Sequence, residues 1–221
     1  AIVEIRAGTG GLEASLFCAD LYKMYEKVCL NNKWSFEIIS ISKSTAGGFK
    51  EVILLGNSLG GHIALYHTKL YPEVMKALVI TGSSGLYESA MGESYPKRGD
   101  YEYIKKKAED VFYDPAVATK EIVDEVYETV NDRNKLIKTL AIAKSAIRHN
   151  MAQDLPHMKT STCIIWGRND NVTPPEVAED FNKLLPDSDL FWIDKCGHAA
   201  MMERPEEFNE ILSGWLKDRN I

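Results

Sequence analysis

The chain has 221 residues, 45% of them hydrophobic, which is enough for one large domain with a substantial core. Its formal net charge is −6, and the three lysines at 105–107 lie among acidic residues, so we expect no nucleic acid as a partner. No apolar stretch approaches the roughly 20 residues that span a bilayer, so we expect no membrane partner either.

The first fifty residues predict a strand, a helix and a hairpin. The strand covers 1–6, and an amphipathic helix follows at 12–30, with apolar residues along one face. Residues 36–42 and 49–55 have the pattern of two further strands. Only residues 43–48 separate this pair, which is too short for the crossover that parallel strands need, so we expect antiparallel pairing.

The later strands are short apolar runs, as is typical of buried parallel strands. They cover 76–82, 162–167 and 189–194. The segment before the second of them is charged and helical, with strong helix patterns at 119–130 and 134–150. We therefore expect a helical insertion within an α/β core.

The four cysteines are scattered along the chain and lack the spacing of a metal site. We therefore expect reduced thiols in a cytoplasmic protein, with neither metal nor cofactor. The residues concerned are Cys18, Cys29, Cys163 and Cys196.

Residues 56–60, Gly-Asn-Ser-Leu-Gly, stand between an apolar strand and a predicted helix that ends near Tyr71. In this setting a tight turn would force Ser58 into a strained backbone conformation, and the flanking glycines would remove side chains that clash. The hydroxyl would then stand exposed at a helix N-terminus, which favours developing negative charge. The alternative is a tight turn without chemistry.

A serine nucleophile needs a base and a group that orients the base. Asp170 comes just after the strand at 162–167, and His198 follows the strand at 189–194, directly after a glycine. The loops after these strands therefore supply an acid and a base.

Each of these residues also has an interpretation without catalysis. Asp170 could cap a helix that begins near Pro174, and His198 could be a structural histidine. Asp194 and Glu203 are weaker candidates for the acid, and we expect them to be structural. We expect the histidine of the elbow helix, His62, to pack.

Residues 52–219 resemble the α/β-hydrolase superfamily, in the branch with a helical cap. The resemblance rests on the stretches GNSLGG, WGRNDNVTP and CGHAAMMERPEEF. It implies that Ser58 is the nucleophile, Asp170 the orienting acid and His198 the general base and acid, in the family's chain order. It also implies that the backbone N–H of Leu59 is one oxyanion-hole donor and that the substrate is a small acyl compound or ester.

Residues 1–53 resemble part of the central domain of class I peptide chain release factors instead. The resemblance rests on the EIRAGTGG stretch, the strand after Trp34 and the AGGFKEV hairpin. The Gly-Gly-Gln loop and the codon-reading region of that family are missing, so we expect no termination activity. The two resemblances meet near 52–54, which indicates an engineered or recombined chimera.

These patterns together predict an α/β fold, a truncated α/β-hydrolase-like sheet with a helical cap. An N-terminal β-α-β-hairpin segment at 1–53 would extend it into a mixed sheet. The hydrolase core would comprise 54–84 and 158–221, and the cap insertion would comprise 85–157. The edge strand at 1–6 could pair with a second copy in a homodimer.

The expected function is that of a serine hydrolase of esters or related acyl compounds. We expect weak activity, because the family's loop with the second oxyanion donor, usually carrying His-Gly, has been replaced. The glycine loop at 7–11 is the only candidate substitute. The alternative is a non-catalytic scaffold that retains the triad residues.

Overall fold

Four parallel strands in sequence order form the sheet of the described part of the chain. The computed structural model describes residues 52–86 and 97–221. The strands are β1 (Val52–Asn57), β2 (Met75–Thr81), β3 (Thr162–Gly167) and β4 (Ser188–Ile193), in the order β1-β2-β3-β4. The predicted strands at 76–82, 162–167 and 189–194 are therefore present, each shifted by at most one residue.

Seven α-helices accompany these strands within the described ranges. They are α1 (Leu59–Leu70), α2 (Tyr101–Glu109), α3 (Lys120–Asn131), α4 (Arg133–Arg148), α5 (Pro175–Leu184), α6 (Ala200–Glu203) and α7 (Pro205–Asp218). Both α5 and α7 begin with proline, whose missing N–H costs nothing at the first helical position.

The predicted mixed sheet depends on residues that lie outside the described ranges. The strand at 1–6, the helix at 12–30 and the hairpin that ends at 55 belong to this prediction, and only β1 of that hairpin is described. Every strand pair that the structure does describe is parallel. The antiparallel extension and the homodimer through its edge strand therefore stay predictions.

Side chains alternate between the two faces of the sheet, as the period of two along a strand requires. Leu54 and Leu78 lie on the face covered by α1 and α5, whereas Ile53 and Val79 lie on the face covered by α6 and α7. Phe181 of α5 is completely buried in the first layer. Two layers of helices on a parallel sheet thus bury both of its faces.

The described part of the helical insertion between β2 and β3 contains α2, α3 and α4. Asp100 caps α2 by accepting a hydrogen bond from the Tyr103 N–H, and Thr119 caps α3 through the Ile122 N–H. The two helices predicted at 119–130 and 134–150 correspond to α3 and α4, and α2 was not separately predicted. The described side chains of α4 are almost all exposed.

All four strands run in the same direction, so their carboxyl ends meet at one edge of the sheet. Ser58 follows β1 and Gly82 follows β2, while Asp170 and His198 come shortly after β3 and β4. Within the described ranges no helix has the length and apolar character needed to cross a bilayer. The fold therefore places the three predicted catalytic residues at one end of the sheet.

Replacing Trp166 with phenylalanine should destabilise the fold and disturb the loop that carries Asp170. The Trp166 indole is fully buried and donates a hydrogen bond to the Thr173 carbonyl at 3.0 Å. The variant leaves a cavity and an unpaired buried carbonyl, so the free energy of unfolding should fall by about 2–4 kcal/mol. Urea denaturation measures the loss, and the half-buried Trp192→Phe is the control, which should lose less than about 1 kcal/mol.

Candidate active site

The backbone of Ser58 adopts a conformation that a residue with a side chain rarely takes. Its φ is 55° and its ψ is −121°, between the end of β1 and the start of α1. Such strain costs about 1–3 kcal/mol and persists only where the surroundings enforce it. The strained turn that the sequence predicted is therefore present.

Hydrogen bonds on both sides hold this backbone in place. The Ser58 N–H donates to the Thr81 carbonyl at 3.0 Å. The Ser58 carbonyl accepts from the N–H of His62 at 3.3 Å and from the N–H of Ser84 at 3.1 Å. The Ser84 hydroxyl also donates to this carbonyl, at 3.4 Å. The turn is thus fixed to the loop that follows β2.

The glycines around Ser58 do not all have the role expected of them. A Cβ atom on Gly56 would overlap the Gly60 carbonyl, and one on Gly61 would overlap the Ser83 side chain. A Cβ atom on Gly60, in contrast, would meet no atom within 4 Å. The expectation that both flanking glycines avoid clashes is therefore right for Gly56 and wrong for Gly60. The close approach on the helix side occurs at Gly61.

His198 and Asp170 form a buried pair. Nδ1 of His198 lies 2.9 Å from Oδ2 of Asp170, and a carboxylate oxygen can only accept, so Nδ1 carries the proton. The other carboxylate oxygen accepts from the N–H groups of Val172 and Thr173, at 2.8 and 2.9 Å. The Thr173 hydroxyl lies within 3.1 Å of both His198 Nδ1 and Asp170 Oδ2. These contacts leave the Nε2 edge of the imidazole for chemistry.

Asn57, directly before Ser58, connects the serine turn to the histidine loop. Its side-chain amide donates to the His198 carbonyl and to the Thr81 carbonyl, both at 3.0 Å. On the other side, a Cβ atom on Gly82 would lie 2.8 Å from His198 Nδ1, so the imidazole packs directly on this glycine. The loops after β1, β2 and β4 therefore meet at His198.

The structure brings Asp170 and His198 into contact, but the described residues include no hydrogen bond between the Ser58 hydroxyl and His198. This third link of the predicted triad stays a prediction, and hydrogen bonds of this kind are often long before substrate binds.

Leu59 is the first residue of α1, so its N–H has no partner within the helix. Among the described residues no group of three or more side chains could hold a metal ion.

Several residues of the site were not found in the sequence. Asn57, Thr173 and Ser84 are polar side chains whose importance comes from the backbone carbonyls and carboxylates they reach. Their sequence signal is weak, because serine, threonine and asparagine are common in any loop. Glu203 was expected to be structural, and its carboxylate accepts from the Gly197 N–H at 2.6 Å.

The histidine of the elbow helix, His62, is buried and hydrogen-bonded as well as packed. Its Nε2 lies 2.9 Å from Nδ1 of His149, which follows α4, and its Nδ1 lies 3.4 Å from the Ser84 hydroxyl. Burial, together with the nearby charge of His149, lowers the pKa of His62 to about 4. His62 is therefore neutral over most of the physiological pH range.

Comparison with known proteins assigns the larger part of this chain. The model of the alpha/beta hydrolase family matches residues 34–211. The chain belongs to this family. Among solved structures, the alpha/beta hydrolase MGS-MChE2, from the metagenome of sediments of the lagoon of Mar Chica, Morocco, is 52% identical, with a TM-score of 0.61. The match covers 99% of this chain and 77% of that one.

Two further hydrolases, both from Pseudomonas, are similar to this alpha/beta hydrolase over about three quarters of its chain. A 2-hydroxy-6-oxononadienedioate/2-hydroxy-6-oxononatrienedioate hydrolase from Pseudomonas sp is 27% identical over 181 residues, which is 76% of this chain and 64% of the relative. The meta-cleavage product hydrolase CumD from Pseudomonas fluorescens IP01 is 20% identical, with a TM-score of 0.65, over 76% of this chain and 65% of that one. The likeness to CumD shows the fold alone.

The N-terminal part of this alpha/beta hydrolase matches a different family. The PCRF domain model matches residues 1–58, and peptide chain release factor 1 from Pelagibacter ubique is 74% identical over 53 residues. The chain spans 15% of that release factor and 64% of the Pseudomonas hydrolase. The chain is thus a chimera of the two families, and the two family matches overlap at 34–58.

Replacing Gly56 with alanine should damage the turn, whereas the same change at Gly60 should not. The added methyl at Gly56 overlaps the Gly60 backbone, which should cost about 1–3 kcal/mol or more. At Gly60 the methyl enters open space within a helix, where alanine is favoured over glycine by about 0.5–1 kcal/mol. Thermal unfolding of both variants measures the difference, and equal losses would contradict the assigned packing.

Acid should destabilise the fold in part through His62. Its pKa is about 4 in the folded state and about 6.5 in the unfolded state, so the unfolded state binds more protons between these values. Stability should therefore fall as the pH falls from 6.5 to 4, by at most about 1.4 kcal/mol per unit from this residue. His62→Gln should reduce the slope of unfolding free energy against pH, while the exposed His157→Gln should leave it unchanged.

Proposed function

We propose that the protein is a serine hydrolase of carboxylic esters or related acyl compounds. Ser58 is the nucleophile, His198 the general base and acid, and Asp170 the residue that orients His198. The observation that carries the proposal is the buried hydrogen bond between His198 Nδ1 and Asp170 Oδ2, beside a serine in strained elbow geometry. The Asn57 bridge from the serine turn to the His198 carbonyl supports it.

In this mechanism the hydroxyl of Ser58 attacks the substrate carbonyl while Nε2 of His198 takes its proton. The imidazolium that results is stabilised by Asp170, whose carboxylate is held in place by hydrogen bonds from the Val172 and Thr173 N–H groups. His198 then gives the proton to the leaving group, and water repeats the sequence on the acyl-enzyme. Each proton transfer takes place at Nε2, because Nδ1 is hydrogen-bonded to Asp170.

The oxyanion of the tetrahedral intermediate needs hydrogen-bond donors. The Leu59 N–H is one, because it has no partner within α1 and directly follows the nucleophile in the chain. The second donor of the family comes from a loop before the elbow, where this chain carries the release-factor segment. Losing one such donor costs about 100- to 1000-fold in turnover, so we expect a slow enzyme.

The substrate class follows from the chemistry and from the relatives. A serine nucleophile with an oxyanion donor attacks any activated carbonyl carbon, which includes esters. The Pseudomonas relative is named for a 6-oxo substrate, so a ketone carbonyl is a second group to test. We propose that the helical insertion at 85–157 is a cap that shapes the substrate pocket over the core formed by 54–84 and 158–221.

The alternative proposal is a non-catalytic scaffold that retains the triad residues. The observation that favours it is the lack of a Ser58–His198 hydrogen bond among the described residues. In this case the Asp170–His198 pair would contribute only to folding. We further propose an engineered or recombined origin and a cytoplasmic location. The buried free thiols of Cys163 and Cys196 are consistent with that location.

Activity against an activated ester separates the two proposals. The wild-type protein should release product with turnover about 100- to 1000-fold below that of MGS-MChE2, the 52% identical hydrolase. Ser58→Ala should abolish both turnover and labelling by a fluorophosphonate probe. The exposed Ser213→Ala is the control and should change neither.

Each outcome of this experiment supports one of the proposals. Labelling that Ser58→Ala removes supports the hydrolase, even where turnover is slow. No labelling and no turnover in a folded protein support the scaffold. Turnover equal to that of MGS-MChE2 would mean that another N–H completes the oxyanion hole and that the expected weakness is wrong.

A further inference from the structure

The carboxylate of Glu203 joins two parts of the molecule that are distant in sequence. Oε2 accepts a hydrogen bond from the Gly197 N–H at 2.6 Å, and Oε1 accepts from the Asp114 N–H at 2.7 Å. Gly197 directly precedes His198, whereas Asp114 follows α2 in the helical insertion. One side chain thus holds the histidine loop and the insertion together.

Direct contacts between the same two segments reinforce this link. The His198 N–H donates to the Val111 carbonyl at 2.9 Å. A Cβ atom on Gly197 would lie 2.6 Å from the Val111 carbonyl oxygen, so only glycine permits this approach. Ala199 packs in the small apolar cluster of the insertion, with Phe112 and Val123. The insertion therefore rests on the residues that flank His198.

The core holds the opposite side of the histidine loop. The Asn57 side chain donates to the His198 carbonyl, and the Asn169 N–H donates to the Cys196 carbonyl at 2.9 Å. The loop is consequently held between the core on one side and the insertion on the other. Loss of the contacts on one side would leave His198 free to shift towards the other.

We propose that Glu203 is a positioning residue that orients His198 by fixing its loop against the helical insertion. This inference rests on the proposed function, because it assigns a partner to the general base of that mechanism. A carboxylate suits the position because two N–H donors converge on it and both of its oxygens accept. A shift of His198 by about 1 Å would lower the rate about 100-fold. The two hydrogen bonds of Glu203, which clamp the His198 loop to the insertion, therefore affect the rate of catalysis.

Glu203→Gln tests this role with little change in shape. The amide has one acceptor oxygen, so its NH2 group must face either the Gly197 N–H or the Asp114 N–H. Turnover of an activated ester should fall about 10- to 100-fold, with a much smaller change in KM, and the pH at half-maximal rate should shift. Glu206→Gln, an exposed carboxylate three residues further along, is the matched control and should behave as wild type.

A second readout does not depend on activity. The proton on His198 Nδ1 should give a low-field NMR signal, because it is hydrogen-bonded to Asp170 in a buried site. This signal should weaken or move in Glu203→Gln and stay unchanged in Glu206→Gln. Amide exchange at Gly197 and Asp114 should become at least about tenfold faster in the first variant alone.

These readouts distinguish the two possible failures. An inactive wild-type protein with the NMR change in Glu203→Gln contradicts the proposed function but upholds the positioning of His198. Faster amide exchange with unchanged turnover, pH profile and NMR signal shows that Glu203 is structural only, and overturns the inference. Unchanged amide exchange shows that no clamp exists, and also overturns it.

Discussion

The hydrogen bond from the Ser58 N–H to the Thr81 carbonyl is the contact on which the candidate site depends. It joins the ends of two adjacent parallel strands, whose register pairs Asn57 with Thr81. A serine at φ 55° is strained by itself, and it is held because its backbone N–H and carbonyl are both engaged. Because β2, α1 and the loop after β2 supply these partners, the packing of these elements maintains the strain at Ser58.

The loops after the four strands act as one unit around His198. Asn57 reaches the His198 carbonyl, Gly82 leaves space for the imidazole, and Thr173 contacts both His198 and Asp170. Asn57, Gly82 and Thr173 do no chemistry in the proposed mechanism. They fix the orientation of His198 and Asp170, as general-base catalysis requires.

The sequence predicted the parallel strands and the loops of Ser58, Asp170 and His198 because each lies at a sharp local transition from an apolar strand to a glycine-containing turn. It did not reveal Thr173, whose residue type is common in loops, and it did not reveal the partners of Glu203, one of which is distant in sequence. It was wrong about Gly60, where a Cβ atom would meet no other atom within 4 Å. Whether a side chain clashes at this position depends on how the chain enters the helix. Periodicity reports burial along one element, whereas these contacts arise where several elements meet.

The described contacts of Ser58, Asp170 and His198 all come from residues at or after Asn57 in the chain. A strand that ends at Asn57 and pairs with β2 is all that this part of the site requires from the preceding sequence. What lies upstream is therefore interchangeable as far as these contacts are concerned, and a foreign segment can replace it without breaking them. The same architecture that carries a hydrolase site would thus tolerate recombination just before its nucleophile strand, at the cost of whatever the exchanged segment itself contributed.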